Sequence, residues 1–386
     1  MLVCLQISDV KTEFYLTATQ PGFLEFGGCA RDEVILAGDI GGTKCNLAVF
    51  EEHGSSLQLI FKRRYATNEF ASLEKLIERF FRECASETGT MPGGNMAAAG
   101  FGVAGAVVDG RLVANNIPWE LTASALARNL NLDIEQLALI NDLVATAYGL
   151  VHLAPQDFLV LNTGTPQING NQALIAAGTG LGEAMIIWDG SQHRASPSEG
   201  GAADFAPRTE REIQLLHFLK ERLPRVSCEE IFSGRGFRKL HEFLDPAVVH
   251  PTFGEAESAS ASEITQNALT GTCPVCVEVL DWWIDAFGAE AGNLALRVLA
   301  YGGVYFAGGI VLKILSKLEQ SSFCRSFADK GRLSSVLSKI PISVVLNEDA
   351  PLLGAAHQAL GALNGSRRER HEILFELQPE REGQPR

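Results

Sequence analysis

Residues 34–50, VILAGDIGGTKCNLAVF, join two apolar runs through a cluster of glycines. Val34, Ile35, Leu36 and Ala37 read as a buried strand, and Leu47 to Phe50 as a second one, so the pattern is strand, tight turn, strand. Gly41 and Gly42 have no side chains, which lets the turn backbone approach a ligand and aim its N–H groups at it. Thr43 adds a hydroxyl, and Asp39 adds a carboxylate of the type that holds a hydrated Mg²⁺. Taken alone, the stretch is either an ordinary glycine-rich hairpin or a cradle for a phosphate beside a metal. The same pattern returns at residues 174–188, LIAAGTGLGEAMIIW, where Gly178, Thr179 and Gly180 occupy the turn. No helix follows the glycines, so this is not a dinucleotide-binding fingerprint, and the chain holds no Walker A sequence. The recurrence reads as a distant internal duplication, one phosphate-binding turn in each half, and it favours the phosphate reading.

Between the two hairpins a strand at residues 137–140 delivers Asn141 and Asp142 at its carboxyl end, where open α/β sheets place ligands. A helix follows at 143–153, so Asp142 either caps that helix or does chemistry beside its positive end. A glycine-rich loop at 198–207 carries Glu199. Two capping boxes follow, Thr209 with Glu212 and Ser227 with Glu230, the second leaving Glu229 for another role. On residue type alone, Glu199 and Glu229 are solvated loop carboxylates. A strand at 304–307 runs into Gly308 and Gly309, where a bare backbone lets a flat ring slide past. Leu73, Leu76, Ile77, Phe80, Phe81 and Cys84 fall at helical spacing. Residues 263–299 read as helix broken near Gly271, and residues 351–363 as the last helix. Residues 1–33 read as a poorly patterned extension and residues 365–386 as a charged, frayed tail.

Composition narrows the partners. The chain has 386 residues and a net charge of −14, which argues against nucleic acid and anionic membrane. No apolar run is long enough to span a bilayer, and the N-terminus lacks a secretory pattern. Eight scattered cysteines fit reduced thiols in the cytoplasm better than a disulfide framework. Cys273 and Cys276 form a lone CxxC with no second pair at zinc spacing, and read as structural.

Taken together the motifs GDIGGTK (38–44), NIPW (116–119), LINDLVATAYG (139–149), GTGLGEA (178–184), SEGGAADFAPR (198–208), EEIFSGRGF (229–237), FAGGI (306–310) and APLLGAA (350–356) resemble those of the bacterial glucokinases. These belong to the hexokinase–actin superfamily, in the branch distinct from the ROK kinases. The resemblance implies an α/β fold of two ribonuclease-H-like (actin-like ATPase) domains flanking a cleft. A small domain would span residues 34–152, rejoined by the C-terminal helix 352–364, and a large one residues 153–351. It implies phosphorylation of the glucose 6-hydroxyl by ATP with Mg²⁺, and a cytoplasmic homodimer. Asp142 would be the base, with Asn141, Asn116, Glu199 and Glu229 holding other sugar hydroxyls. Asp39, Gly41, Gly42 and Thr43 would form one phosphate site, Asp39 placing Mg²⁺ through water. Gly178, Thr179 and Gly180 would form the other, and Gly308 and Gly309 would face the adenosine. Two positions depart from the family: Gly105-Ala106 replaces its usual Gly-Pro, a minor change, and Ala202 stands where its loop reads Glu-Gly-Gly-His. The missing histidine contact is worth about 1–3 kcal/mol of sugar binding. It opens two alternatives, a kinase for another hexose or amino sugar, and a non-catalytic sugar-sensing relative. His193 and His217 read as surface histidines.

Overall fold

The computed structural model describes residues 33–376 apart from residues 54–55, 90, 95, 114–116 and 321. The expected N-terminal extension therefore lies outside the described residues except for Glu33, and so does Asn116.

The first hairpin folds as read. Strands β1 (Val34–Ile40), β2 (Lys44–His53) and β3 (Ser56–Ala66) pair antiparallel in sequence. Strand β4 (Met96–Val103) lies parallel to β1. A small ribbon follows, β5 (Ala106–Val108) and β6 (Arg111–Val113), turning on Asp109 and Gly110 at positive φ. Strand β7 (Leu137–Asn141) completes a five-stranded sheet of order β3-β2-β1-β4-β7. Its buried side chains alternate between faces. Val34, Leu36, Ile40, Leu47 and Phe101 pack under helices α1 (Leu73–Thr88) and α2 (Ala123–Leu130). Ile35, Ala37, Ala48 and Ala98 pack against Ala145 of α3 (Asp142–Gly149) and against the last helix.

A second sheet repeats that topology. It contains β8 (Phe158–Asn162), β9 (Gln172–Ala177), β10 (Leu181–Trp188), β11 (His193–Ser198), β12 (Gly303–Ala307) and β13 (Ile342–Val345), in the order β11-β10-β9-β12-β13-β8. Apart from β8 at the edge, three antiparallel strands again lead into two parallel ones. The duplication read from the two hairpins is thus present in the sheets, and the fold is the expected pair of ribonuclease-H-like units. Strands β8 and β11 have no counterpart in the sequence reading. β11 carries polar residues and Pro197, which only an edge strand tolerates.

Helices α4 (Glu210–Lys220), α5 (Glu229–Phe232), α6 (Gly234–Leu244), α7 (Glu257–Thr270) and α8 (Pro274–Val298) belong to the second unit. With the short α9 (Gly309–Lys313), α10 (Leu315–Leu318), α11 (Phe323–Ala328) and α12 (Ser334–Leu337), they surround a core centred on Trp283, Phe287, Phe306 and Phe323. The break at Gly271 is real, with φ of 69°. The capping box of Thr209 and Glu212 is formed. That of Ser227 and Glu230 is not: Cys228 stands at the N-cap position of α5 without a side-chain bond. Residues 203–205 pair with 226–228 and hold Ser227 in an extended bridge to Asp204, so its hydroxyl does not turn toward the helix.

The last helix, α13 (Ala350–Glu376), runs beyond the expected end at residue 363 or 364. Gly365 lowers helix propensity by only about 1 kcal/mol, and the arginines and glutamates after it favour helix. Gly354 lets α13 press on α3, since a Cβ there would sit 1.7 Å from the Ala145 carbonyl oxygen. The cluster of Ala147, Leu150, Leu174, Ala184, Ile186 and Ala350 then ties α3 and α13 to the second sheet. Among the described residues no helix is long and apolar enough to cross a membrane.

Candidate active site

β1, β4 and β7 run parallel, and their carboxyl ends deliver Asp39, the Gly105 loop and Asn141-Asp142 to one edge of the first sheet. Asn141 caps α3. Its Oδ1 accepts the N–H groups of Leu143 (2.9 Å) and Val144 (3.2 Å), and its Nδ2 donates to the Gly105 carbonyl at 3.0 Å. One amide hydrogen remains for a ligand. The capping role open to Asp142 is therefore filled by its neighbour. Asp142 stands in the first turn, where its Oδ1 accepts the Leu143 N–H at 2.9 Å and Oδ2 is left for chemistry. Burial, then the charges of Asp39 and Glu199, push its carboxyl up to about 7. Asp142 is thus the carboxylate on which the neighbouring charges converge.

Asp39 is buried enough that its carboxyl also lies above the ordinary range, although the Asn46 amide donates to Oδ2 at 2.8 Å and Lys44 and Arg64 oppose the rise. Asn46 is in turn held by Arg64, whose Nε donates to Oδ1 at 2.9 Å. Sequence reading passed over Asn46. Its signal was an amide inside an apolar strand, and it is 7% exposed. Thr67 was also missed. Its hydroxyl donates to the Gly41 carbonyl at 2.7 Å and its N–H to the Thr43 carbonyl at 3.0 Å, which fixes the first turn. The Gly41 N–H bonds the Lys44 carbonyl inside the turn, which leaves the tip, Gly42 and Thr43, to face a ligand.

The second hairpin is braced from α5 and α6. The Gly178 N–H donates to the Gly180 carbonyl and the Gly234 N–H to the Gly178 carbonyl, both at 2.9 Å. Glu229 Oε2 accepts the Leu181 N–H at 3.1 Å, so this carboxylate belongs to the hairpin as well as to the site edge. Thr179 is exposed at the tip. The hairpin reaches α3 directly, because Gly182 leaves room for Leu143. Gly308 and Gly309 differ. A Cβ on Gly308, at φ 95°, would lie 2.3 Å from the Ala177 carbonyl oxygen, so packing requires that glycine, whereas Gly309 faces open space.

Glu199 is exposed at the end of β11. Gly200 follows because a Cβ would strike the Glu183 carboxylate, 1.9 Å away. Glu183 was not foreseen. Both its oxygens are buried without a hydrogen-bond partner among the described residues, and burial with the nearby Glu290 pushes it up to about 7. Ala202 is exposed. His193 binds the Gly170 carbonyl at 2.9 Å and His217 is exposed on α4, so both serve elsewhere.

The first glycine-rich turn follows Asp39, the second reaches α3 through Gly182 and Leu143, and Asp142 at the start of α3 carries a carboxyl raised to about 7. Comparison with known proteins identifies the family. The family model described as Glucokinase matches residues 36–362. The glucokinase of Nostoc sp. (strain PCC 7120) is 39% identical over 342 residues, 84% of this chain and 98% of that protein. That of Synechocystis sp. (strain PCC 6803) is 38% identical over 350 residues, 83% and 96% of the two chains. The glucokinase structure from an Antarctic psychrotroph superposes with a TM-score of 0.72 at 28% identity, covering 86% of this chain and all of that one, 100%. A ROK family glucokinase from Streptomyces griseus, in complex with glucose and AMPPNP, shares the fold at a TM-score of 0.58 and 21% identity, over 85% of this chain and 99% of the other. This chain therefore belongs to the glucokinase family.

Proposed function

We propose that the protein transfers the γ-phosphoryl group of ATP to the 6-hydroxyl of glucose, with Asp142 as the general base. The observation that carries this reading is the Asp142 carboxyl, raised to about 7 at the start of α3 between the two hairpins. A base with a pKa near the working pH transfers protons most effectively. Asp142 Oδ2 takes the proton of the sugar hydroxyl as the new O–P bond forms, and the bond from phosphorus to the ADP oxygen breaks. Asn141, Glu199 and Glu229 hold other hydroxyls, and Asn116 joins them by family resemblance. Gly41, Gly42, Thr43, Gly178, Thr179 and Gly180 hold the phosphates, and Gly308 and Gly309 lie along the adenosine. The small unit, residues 34–152 with helix 352–364, and the large one, residues 153–351, close on the sugar and exclude water.

The site fits Mg²⁺. The Asp39 charge adds to the rise of the Asp142 carboxyl, as expected of neighbouring carboxylates whose repulsion a hard dication relieves. Asp39 would hold the ion through water, its orientation fixed by Asn46. When bound, Mg²⁺ offsets the charge that grows on the transferred group. A cytoplasmic location, a part in glycolysis and a homodimer complete the reading, all by family resemblance.

Ala202 favours a second reading, a pocket tuned to another hexose or an amino sugar, since its methyl group offers no hydrogen bond. The test is ADP release from Mg-ATP over glucose, mannose, fructose, glucosamine, N-acetylated sugars and no sugar. Turnover strongest with glucose supports the first reading. Turnover strongest with another sugar, and lost in Ala202→His, supports the second. ATP binding without turnover on any sugar removes both in favour of a sensor.

A further inference from the structure

The lone CxxC is not alone in space. Cys273 stands at the N-cap position of α8 and Cys276 in its first turn. His241, in the last turn of α6, and His250, just before Pro251, lie against them. One ligand atom from each of the four falls within 4.8 Å of the other three. Cys276 Sγ is 3.2 Å from His250 Nε2, and the two imidazole centroids are 5.1 Å apart. His241 is fully buried, and both its ring nitrogens lack a hydrogen-bond partner among the described residues. Leaving a buried imidazole unsatisfied costs about 1–3 kcal/mol, so its position calls for a partner.

We propose that His241, His250, Cys273 and Cys276 bind one zinc ion in a structural site. Two thiolates and two neutral imidazoles are a donor set that selects a tetrahedral, four-coordinate zinc ion and leaves it uncharged overall. In such a site neighbouring donor atoms lie about 3.3–3.8 Å apart, from bonds of about 2.0–2.3 Å, so small side-chain rotations close the cluster. The two cysteines sit at the N-terminus of a helix of 25 residues, so both donors come from one rigid turn. The Asn267 amide lies 3.4 Å from His250 Nδ1, and with its oxygen turned to accept the Nδ1–H it would orient that ring while Nε2 meets the metal. His250 also lines an open surface groove with Arg222, Arg238 and Glu242, which gives the ion a way in.

The site clamps α6, the turn at His250 and the junction of α7 with α8. His241 lies about 10 Å along α6 from Gly234, at 1.5 Å per residue. Gly234 holds the second hairpin through the Gly178 carbonyl. Zinc at this position braces the helix against which the hairpin is built, at a distance from the reacting atoms.

The experiment uses the full-length chain purified from zinc-supplied cells. Elemental analysis should find about one zinc ion per chain, as expected for one Cys₂His₂ site. After chelation under reducing conditions, titration with Co²⁺ should give thiolate-to-cobalt charge-transfer absorption and the visible bands of tetrahedral cobalt, and zinc should displace them. The double variant Cys273→Ser, Cys276→Ser should lose zinc and the bands. Cys324→Ser, whose thiol contacts the Leu161 carbonyl instead, should keep both. Folded wild-type protein that carries no zinc and gives no cobalt bands would overturn the proposal. So would zinc retained by the double variant.

Discussion

Glu229 Oε2 accepts the N–H of Leu181, 3.1 Å away, at the exit of the second glycine-rich turn. A single carboxylate thereby braces the backbone expected to hold phosphate and lines the side expected to hold sugar. In Glu229→Ala both functions go, and KM should rise about tenfold or more for sugar and for Mg-ATP alike. Glu229→Gln keeps an acceptor for Leu181, so its KM for Mg-ATP should stay near that of the wild type while the sugar KM rises. Equal effects of the two substitutions on the nucleotide, measured by steady-state kinetics, would disprove the bracing role.

Asp142 accepts a proton only when ionised, so kcat/KM should climb with pH through about 7 and level off above it. Asp142→Asn keeps the acceptor for the Leu143 N–H and hence the helix start, so its circular dichroism should match the wild type and its melting should match or exceed it. Its kcat should fall by about 10²–10⁴. A variant that turns over normally removes Asp142 from the reaction.

The buried Glu183 gives a stability prediction of definite sign. Its folded pKa, about 7, lies above the ordinary 4.5, so the native state holds the proton more tightly than the unfolded chain. Its contribution is intact below 4.5 and is lost as pH rises through about 7. Glu183→Gln mimics the protonated form and should stabilise the protein by about 2–3 kcal/mol at pH 8, with little change at pH 4. Urea unfolding at both pH values checks this, and a destabilised variant at pH 8 would show that the carboxylate has a cationic partner.

His152, after α3, and His357, on α13, stack with centroids 3.3 Å apart and planes 4° apart. Burial and then His152 push His357 down to about 4, and burial also lowers His152. Below 6.5 the unfolded chain takes up protons that the native state refuses, so stability falls between 6.5 and about 4. The loss should be about 1–2 kcal/mol, allowing for solvent screening at the exposed His152 and the part-buried His357. His357→Gln should flatten that part of the profile in thermal melts across pH, and an unchanged slope would assign it to other groups.

Local chemistry was legible in the sequence, and contacts between distant segments were not. The turns at Gly41 and at Gly178 are written in consecutive residues. Ser227 followed by Glu230 is a sound capping signal, yet pairing of 226–228 with 203–205 overrode it. The choice of Asn141 over Asp142 as the cap depended on the Gly105 carbonyl, 36 residues away in sequence. The brace from Glu229 to Leu181 spans 48 residues, and His241 reaches Cys276 only through the packing of α6 on α8. No pattern within a window of adjacent residues encodes such pairs.

Helix α13 supplies Leu352, Ala355, Ala356, Ala359, Leu360 and Leu363 to the face of the sheet that begins at Val34. During synthesis that face waits, covered only in part by α3, for nearly the whole chain to leave the ribosome. Ile35, Ala37, Ala48 and Ala98 have only Ala145 of α3 against them until strands β8 to β13 have been made and α13 arrives. The half of the molecule made first is thus the half finished last. A message cut short before residue 352 yields a second unit with its own core and a first sheet open to aggregation.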